Sequence, residues 1–162
     1  MRLRALRIDM IIIIGCDPDV DGKGYAIYED GQLTALEALS LIDLYQLIDY
    51  SLRHECDRNG IELHIEDLNA NKSSAFNHKG RQSKAVQNKI SESVGRCKQV
   101  QVEVERIAEY FGIKIVRHKV SSKWKDASGK KEFERMTGWT GRSNEDTRSA
   151  AWFGFIGSRG KS

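Results

Sequence analysis

Three acidic residues stand where separate segments of the chain begin or end, and together they could hold divalent cations. Asp17 directly follows an apolar run, Glu66 closes an alternating run, and Asp146 opens a final helical pattern. Clustered carboxylates repel one another, so a site that contains several needs cations to neutralise it. Two hard cations about 3.5–4 Å apart activate water and stabilise the leaving oxygen of a phosphodiester. The spacing therefore suits metal-dependent phosphodiester hydrolysis, provided that the fold brings the three acids together.

Each acid also has a simpler interpretation. Asp17 begins a D-x-D-x-D-G run that resembles the start of an EF-hand loop. That loop needs an acidic twelfth residue, which is Tyr28 here, and flanking helices, whereas both flanks are predicted strands. Glu66 alone could be a turn acid. Ser143 and Asp146 have the spacing of a helix capping box, so Asp146 alone could be a cap rather than a ligand.

The elements that must position these acids follow from hydrophobic periodicity. The apolar run 11–14 is rich in β-branched residues and predicts a central strand buried on both faces. Further strands are predicted at 24–29, 32–39, 61–66 and 113–116, with an Asp-Gly hairpin turn at 30–31. Helical patterns begin near residues 41, 81 and 143, with Asn59-Gly60 ending the first. Residues 118–142 are predicted to be irregular.

The resulting order, βββ-α-β-α-β-α, predicts an α/β fold with a mixed five-stranded sheet covered by helices. Ribonuclease H-like domains have that order, although a fold alone does not give a function. A single proline and the lack of a low-complexity linker indicate one domain, residues 10–162. Residues 1–9 precede the first apolar run and are predicted to be a dispensable N-terminal extension.

Charge is distributed unevenly along the chain. Residues 1–70 carry 6 Lys/Arg against 14 Asp/Glu, a net charge of −8. Residues 71–131 carry 15 against 5, a net charge of +10. An acidic segment followed by a basic one indicates a metal site beside a polyanion-binding surface, although a solvated basic helix face would give the same counts.

Composition indicates a globular cytosolic protein. Hydrophobic residues make up 40% of the chain and charged residues 30%. The longest apolar run, residues 10–14, is far too short to span a bilayer, and no signal-peptide pattern follows the basic N-terminus. The three cysteines, Cys16, Cys56 and Cys97, are odd in number and widely spaced, which favours reduced thiols.

Short motifs around the three acids resemble one known family. The G-C-D-P motif at 15–18, followed by G-Y-A at 24–26, resembles the first signature of RuvC-type Holliday junction resolvases. Ile65-Glu66 resembles the second acidic motif of that family, and the segment 146–150 is similar to its closing D-x-x-D-A helix. The resemblance implies a magnesium-dependent endonuclease that cuts branched DNA, in which Mn²⁺ also supports activity. It further implies that the metal ligands and catalytic residues are Asp17, Glu66 and Asp146.

The chain departs from the family pattern at two positions. Ser149 stands where the family has its last Asp, so one ligand is missing or is supplied by Glu145. Cys16 replaces the usual isoleucine or leucine before the first Asp. Small divergent members of the family occur in phages, and the resemblance implies such an origin.

The basic segment supplies candidate DNA contacts. Phosphate contacts position DNA without reading its sequence and make binding dependent on salt. The predicted contacts are Lys72, Lys79, Arg81, Lys84, Lys89, Lys119, Lys123 and Lys125. Phe76 lies in a polar loop, where it would stack on bases at a branch point or anchor the loop.

Other functions remain open from the sequence. A ribonuclease H-like enzyme acting on RNA–DNA hybrids or flaps would use the same metal chemistry. An inactive nucleic-acid-binding module would explain Ser149. Actin-like ATPases share the sheet topology but need two such domains. A junction resolvase makes two symmetric nicks, which implies a homodimer, with the segment 81–111 as candidate interface.

Overall fold

A computed structural model describes residues 9–19, 24–70 and 83–159 of the chain. The strands are β1 (Ile12–Asp17), β2 (Gly24–Glu29), β3 (Gln32–Ala38), β4 (Ile61–Glu66) and β5 (Lys114–His118). The helices in these ranges are α1 (Leu41–His54), α2 (Lys84–Phe111), α3 (Ala127–Thr137) and α4 (Glu145–Arg159). The five strands form one sheet in the order β3-β2-β1-β4-β5.

Strand β1 is the centre of the sheet. It pairs antiparallel with β2 and parallel with β4, while β3 and β5 form the two edges. Ile12, Ile13 and Ile14 are each at most 1% exposed, because both faces of the sheet are covered. The mixed five-stranded sheet predicted from the element order is confirmed. So is the prediction that β1 is buried on both faces.

Helices cover the two faces of the sheet separately. On one face, α1 and α2 pack through Leu44, Ile48, Val104 and Ala108 onto a core that includes Ile14. On the other face, α4 contributes Ala150 and Ala151 to a second core with Ile13, Ala26, Tyr28, Trp124 and Phe133. The Tyr28 hydroxyl donates a hydrogen bond to the carbonyl of Ala151 at 2.7 Å, which ties β2 to α4.

Two glycines of the G-C-D-P and G-Y-A motifs allow α4 to approach the sheet closely. A side chain at Gly15 would collide with the backbone of Ala150, and one at Gly24 would collide with the backbone of Asp146. Glycine is therefore required here for space rather than for an unusual backbone conformation. The close approach brings the start of α4 against the ends of β1 and β2.

Helix α3 was not predicted, and the expectation that residues 118–142 are irregular was wrong for this part. Its segment has little apolar periodicity, since Phe133 and Gly129 are the residues that it buries. The sequence features that mark α3 are instead its two capping residues. Asp126 accepts a hydrogen bond from the Gly129 N–H at 2.6 Å, and Gly138 closes the helix with φ of 71°.

Several predicted boundaries also differ from the structure. Helix α1 ends at His54 rather than at Asn59-Gly60, which instead belong to a short 3₁₀ turn capped by Asp57. Strand β1 continues to Asp17 because it pairs with β2 over its full length. Helix α2 begins at residue 84 rather than near 81, β5 runs over 114–118 and α4 over 145–159, each within a few residues of its prediction.

The three cysteines are free thiols, as predicted. No helix in the described ranges is long and apolar enough to cross a membrane. The predicted extension 1–9 lies almost wholly outside the described residues. Its last residue, Asp9, forms an isolated antiparallel bridge with Cys56, and the Met10 N–H donates to the Glu55 carbonyl at 3.2 Å.

Candidate active site

Two of the three predicted acids end neighbouring parallel strands. Asp17 is the last residue of β1 and Glu66 the last residue of β4. The strands run in the same direction, with Cys16 opposite Ile65. Because parallel strands end at the same edge of a sheet, both carboxylates lie at that edge, which is where open sheets place ligands.

Asp146 reaches the same edge from the first turn of α4. The cap of this helix is Asn144, whose Oδ1 accepts from the Thr147 N–H at 2.8 Å. Thr147 Oγ1 in turn accepts from the Asn144 N–H at 2.9 Å, which completes a reciprocal capping box. The alternative interpretation placed a capping box between Ser143 and Asp146, whereas the box is formed by Asn144 and Thr147, so the Asp146 carboxylate is not needed to cap the helix.

The three acids line one cavity of about 550 Å³. Its other walls come from the loop after β1, from the middle of α2 and from the segment that follows β5. The complete lining is Asp17, Pro18, Asp19, Glu66, Leu68, Ser93, Val94, Cys97, Lys98, Val120, Lys125 and Asp146. The convergence required by the three-acid hypothesis is thus present in the fold.

The Asp17 carboxylate is buried and incompletely satisfied. Its residue is 5% exposed, and Oδ2 accepts no hydrogen bond from any described residue. The Lys125 ammonium lies 3.5 Å from this oxygen and supplies positive charge to it. A buried carboxylate oxygen without a hydrogen bond is costly, so this atom favours a cationic partner, which the Lys125 ammonium supplies here.

Burial and mutual repulsion raise the pKa values of the other two acids. Glu66 is 3% exposed, and desolvation together with the charge of Asp17 raises its pKa to about 7. Desolvation also raises the pKa of Asp146, with additional repulsion from Asp17 and Asp19. Lys125 acts in the opposite direction on both groups. Paired acids with raised pKa values in a cleft are typical of functional sites.

These residues fit divalent cations by their chemistry. Carboxylate oxygens are the ligands that Mg²⁺ and Mn²⁺ prefer, and Asp17 lines the cavity together with three further acids. Among the described residues, no group of three or more His, Cys, Asp or Glu side chains lies close enough together to hold a metal ion.

A buried arginine holds the segment that carries Lys125. Arg148 on α4 is 7% exposed. Its Nε donates to the Trp124 carbonyl at 2.8 Å and its Nη2 to the Lys125 carbonyl at 2.8 Å. Its Nη1 also donates to Ser143 Oγ at 3.1 Å. Arg148 therefore fixes the backbone at Lys125 relative to α4 and Asp146, a role that its place in a helical pattern did not reveal.

The predicted DNA-binding residues fall into three groups. Lys72, Phe76, Lys79 and Arg81 lie outside the described residues. Lys84 and Lys89 are exposed on the first turns of α2, and Lys119 is exposed just after β5. Lys123 pairs with Glu132 at 3.5 Å and lies over the Trp152 ring, whereas Lys125 lines the cavity.

The predicted substitute for the missing family acid, Glu145, does not line the cavity. Glu145 is exposed on the first turn of α4. Ser149 is 1% exposed, and its Oγ has no hydrogen-bond partner in the part of the chain that the structure describes. Asp19 and Lys98 do line the cavity, and neither was predicted as a site residue. The D-x-D spacing of Asp17 and Asp19 was the signal for the former.

Comparison with known proteins supports the fold. No protein-family profile matches the sequence, and no curated protein matches it. Among solved structures, the chain is similar to T. thermophilus RuvC in complex with Holliday junction substrate, with a TM-score of 0.52. The two share 12% identity over 90% of each chain. At this identity the likeness concerns the fold, which is ribonuclease H-like, as the element order predicted.

Proposed function

We propose that this chain is a metal-dependent endonuclease that cuts branched DNA such as four-way junctions. The observation that carries the proposal is the convergence of Asp17, Glu66 and Asp146 on one cavity. They reach it from β1, β4 and α4 of a RuvC-like fold. Three buried or half-buried carboxylates repel one another and destabilise the protein when no cation is bound. The same carboxylates can bind the divalent cations that phosphodiester hydrolysis requires.

Asp17, Glu66 and Asp146 would hold the divalent cations, with Mg²⁺ as the natural ion and Mn²⁺ as a substitute. When bound, such cations activate water and neutralise charge on the phosphate. The chain itself positions the ligands: β1 and β4 fix two carboxylates at the sheet edge, and α4 adds the third. Lys125, 3.5 Å from Asp17 Oδ2, reduces repulsion in the cavity and is placed to contact a phosphate oxygen.

Branched DNA is the favoured substrate for two reasons. The motifs around the acids resemble those of junction resolvases, and the similar RuvC structure was solved in complex with Holliday junction substrate. Exposed lysines on the first turns of α2 and after β5 supply phosphate contacts beside the cavity. A phage origin, a location in the host cytosol and a homodimer remain predictions.

The test is a cleavage assay with four end-labelled substrates: a four-way junction, a flap, an RNA–DNA hybrid and a linear duplex. Each is incubated with Mg²⁺, with Mn²⁺ or with EDTA. We expect cutting of the junction with either metal, no cutting in EDTA, and little cutting of linear duplex. Asp17→Asn should abolish cutting and retain junction binding. The matched control is Glu109→Gln, an exposed acid near the far end of α2.

The other functions give different results in the same assay. Cutting confined to the hybrid or the flap would replace the proposal with a ribonuclease H-like nuclease of that specificity. Tight junction binding without cutting in any metal would identify a binding module that has lost activity. Cutting in EDTA, or cutting by Asp17→Asn at the wild-type rate, would show that the reaction does not depend on a metal ion bound at Asp17.

A further inference from the structure

We propose that Gln101 on α2 is a positioning residue of the active site. It holds the chain that leaves β4, directly after Glu66, against the α2 wall of the cavity. The inference deepens the proposed function and rests on it, because the residues that Gln101 holds are the neighbours of one proposed metal ligand. Gln101 does not line the cavity itself, so it acts through these neighbours.

Gln101 occupies a position on the buried stripe of α2 where an apolar residue would be expected. The buried residues of this helix are Gln101, Val104 and Ala108, which have the i, i+3 and i+7 spacing of a helix face that packs on a core. Gln101 is 1% exposed. Burying an amide is costly unless it is hydrogen-bonded, so the partners of Gln101 show what it does at this position.

The oxygen and the nitrogen of the Gln101 amide both have partners. Oε1 accepts from the Leu68 N–H at 2.7 Å. Nε2 donates to Asp67 Oδ1 at 2.9 Å and to Glu105 Oε1 at 3.2 Å. Because a backbone N–H only donates and an ionised carboxylate only accepts, these partners fix the orientation of the amide. A side chain without both a donor and an acceptor cannot make the same set of bonds.

The chain that Gln101 holds begins with the first residue after Glu66. Glu66 ends β4, and the Asp67 N–H donates to the His118 carbonyl on β5 at 2.7 Å. Asp67 Oδ1 also accepts from the Asn69 N–H at 3.0 Å, which closes a turn. Gln101 therefore ties this turn to α2 at the point where the strand that carries Glu66 ends.

The same hydrogen bonds join two walls of the cavity. Leu68 lines the cavity from the segment after β4, and Lys98 lines it from α2, one turn before Gln101. Without these bonds, α2 and the backbone next to Glu66 are free to shift relative to each other. A misplacement of 1 Å costs about 10²-fold in the rate of an enzyme, so loss of the Gln101 amide should slow cutting.

The experiment compares Gln101→Met with Gln99→Met. Methionine keeps the length of the side chain and removes the amide. Gln99 is an exposed glutamine of the same helix, and it donates to Glu103 Oε1 at 2.8 Å. We expect Gln101→Met to lower the single-turnover rate of cutting at saturating junction by about 10- to 100-fold, with junction binding in EDTA unchanged. Gln99→Met should match the wild type in both measurements.

Two further measurements separate positioning from a contribution to stability alone. Hydrogen exchange at the Leu68 N–H, followed by NMR on the full chain without DNA, should be faster in Gln101→Met than in Gln99→Met. A double-mutant cycle with Asp67→Ala should give effects on the rate that do not add, because both substitutions break the same contact. Asp67 is half-buried, so if Gln101→Met does not fold, Asp67→Ala alone should still lower the saturating rate.

The outcomes that overturn the inference differ from those that overturn the proposed function. A wild-type saturating rate in folded Gln101→Met, or in Asp67→Ala, would overturn the positioning role and leave the nuclease intact. Additive effects in the cycle, or wild-type exchange at the Leu68 N–H in Gln101→Met, would overturn it as well. A wild-type chain that cuts no substrate with Mg²⁺ or Mn²⁺ would overturn the proposed function, and the role of Gln101 with it.

Discussion

Glu66 is the residue whose chemistry depends most on the surrounding fold. Its strand end is marked in the sequence, but its pKa of about 7 arises from burial and from the neighbouring Asp17. An acid placed where its ionised form is disfavoured reduces the stability of the metal-free protein at neutral pH. Such strain at a site is commonly retained because function requires it.

The raised pKa of Glu66 predicts how the stability of the metal-free protein changes with pH. An unfolded glutamate releases its proton near pH 4.5, whereas folded Glu66 holds its proton to about pH 7. The stability that protonated Glu66 contributes is therefore present below pH 4.5 and is lost as the pH rises to about 7. Glu66→Gln should lack this loss and should be more stable than the wild type at pH 8.

Urea denaturation in EDTA at pH 5 and pH 8 measures the effect. The control is Glu109→Gln, which removes an exposed acid and should keep the wild-type dependence on pH. Equal loss of stability in Glu66→Gln and in the wild type would contradict the raised pKa of Glu66.

Two lysines separated by one residue should have different roles. Lys125 lines the cavity with its Nζ 3.5 Å from Asp17 Oδ2, whereas Lys123 pairs with Glu132 outside it. Lys125→Met should lower the rate of cutting at saturating junction on the order of 10²-fold, as for other removals of charge from a catalytic site. Lys123→Met should keep the saturating rate, because its ammonium lies outside the cavity.

Single-turnover cutting at saturating junction, together with binding at two salt concentrations, tests this pair. Lys123→Met is expected to weaken binding in a salt-dependent way if it contacts phosphate. If both variants change only binding, Lys125 is an ordinary phosphate contact and has no separate role at the acids.

At the scale of secondary-structure elements, α4 is the element that completes the site. It brings Asp146 to the sheet edge, and its Arg148 holds the backbone at Lys125. Close approach to the sheet at Gly15 and Gly24 makes this placement possible. The G-C-D-P motif thus contributes the Asp17 carboxylate directly. The glycines of the G-C-D-P and G-Y-A motifs also let α4 approach the sheet, which brings the Asp146 carboxylate to the site.

Capping and metal binding belong to neighbouring residues of α4, so they can be separated. Asn144→Ala removes the cap and should cost about 0.5–2 kcal/mol of stability, with little change in the rate of cutting. Asp146→Asn should lower the rate by orders of magnitude without loss of stability, because its carboxylate is not needed for capping. Melting temperature and cutting rate, measured on both variants, give the comparison. A large loss of stability in Asp146→Asn would indicate that Asp146 has a structural role.

At the scale of the whole molecule, self-association is the untested requirement of a resolvase. Part of the predicted interface, 81–111, is not available to a partner, because several of its apolar side chains pack within the chain. Val104 is buried, and Val100 and Ile107 pack against the core beneath α2 and α1. The described part of α2 exposes two large apolar side chains, Val86 in its first half at 45% and Tyr110 near its end at 72%.

We predict a homodimer at micromolar concentration in the presence of a four-way junction, because two symmetric nicks need two sites. Val86→Asp should shift the protein toward the monomer, since it places a charge on the exposed first half of α2. Sedimentation with and without junction DNA measures the oligomeric state, with Glu109→Gln as a comparison that changes the charge of α2 in the opposite direction. A wild-type monomer under both conditions would favour an enzyme that nicks one strand, such as a flap nuclease.

Local patterns determined most of the sheet and the identity of its acidic ends. Strands β2 and β4 were predicted at their observed bounds, because alternation of period two and β-branched residues act over a few neighbours. The order of elements then determined the mixed sheet, since short connections and crossovers leave few topologies. Asp17 and Glu66 followed from these strand ends. Helix α3 was missed because its signals are two caps rather than a periodic apolar face.

Tertiary structure decided which polar residues share the cavity. Asp19 and Lys98 enter it and Glu145 does not, although all three are ordinary charged residues in the sequence. The side of a helix or loop that faces the sheet edge depends on how α2 and α4 pack, and these contacts join residues far apart in the chain. The pKa of Glu66 has the same origin, because burial and the charge of Asp17 exist only once β1 and β4 lie side by side.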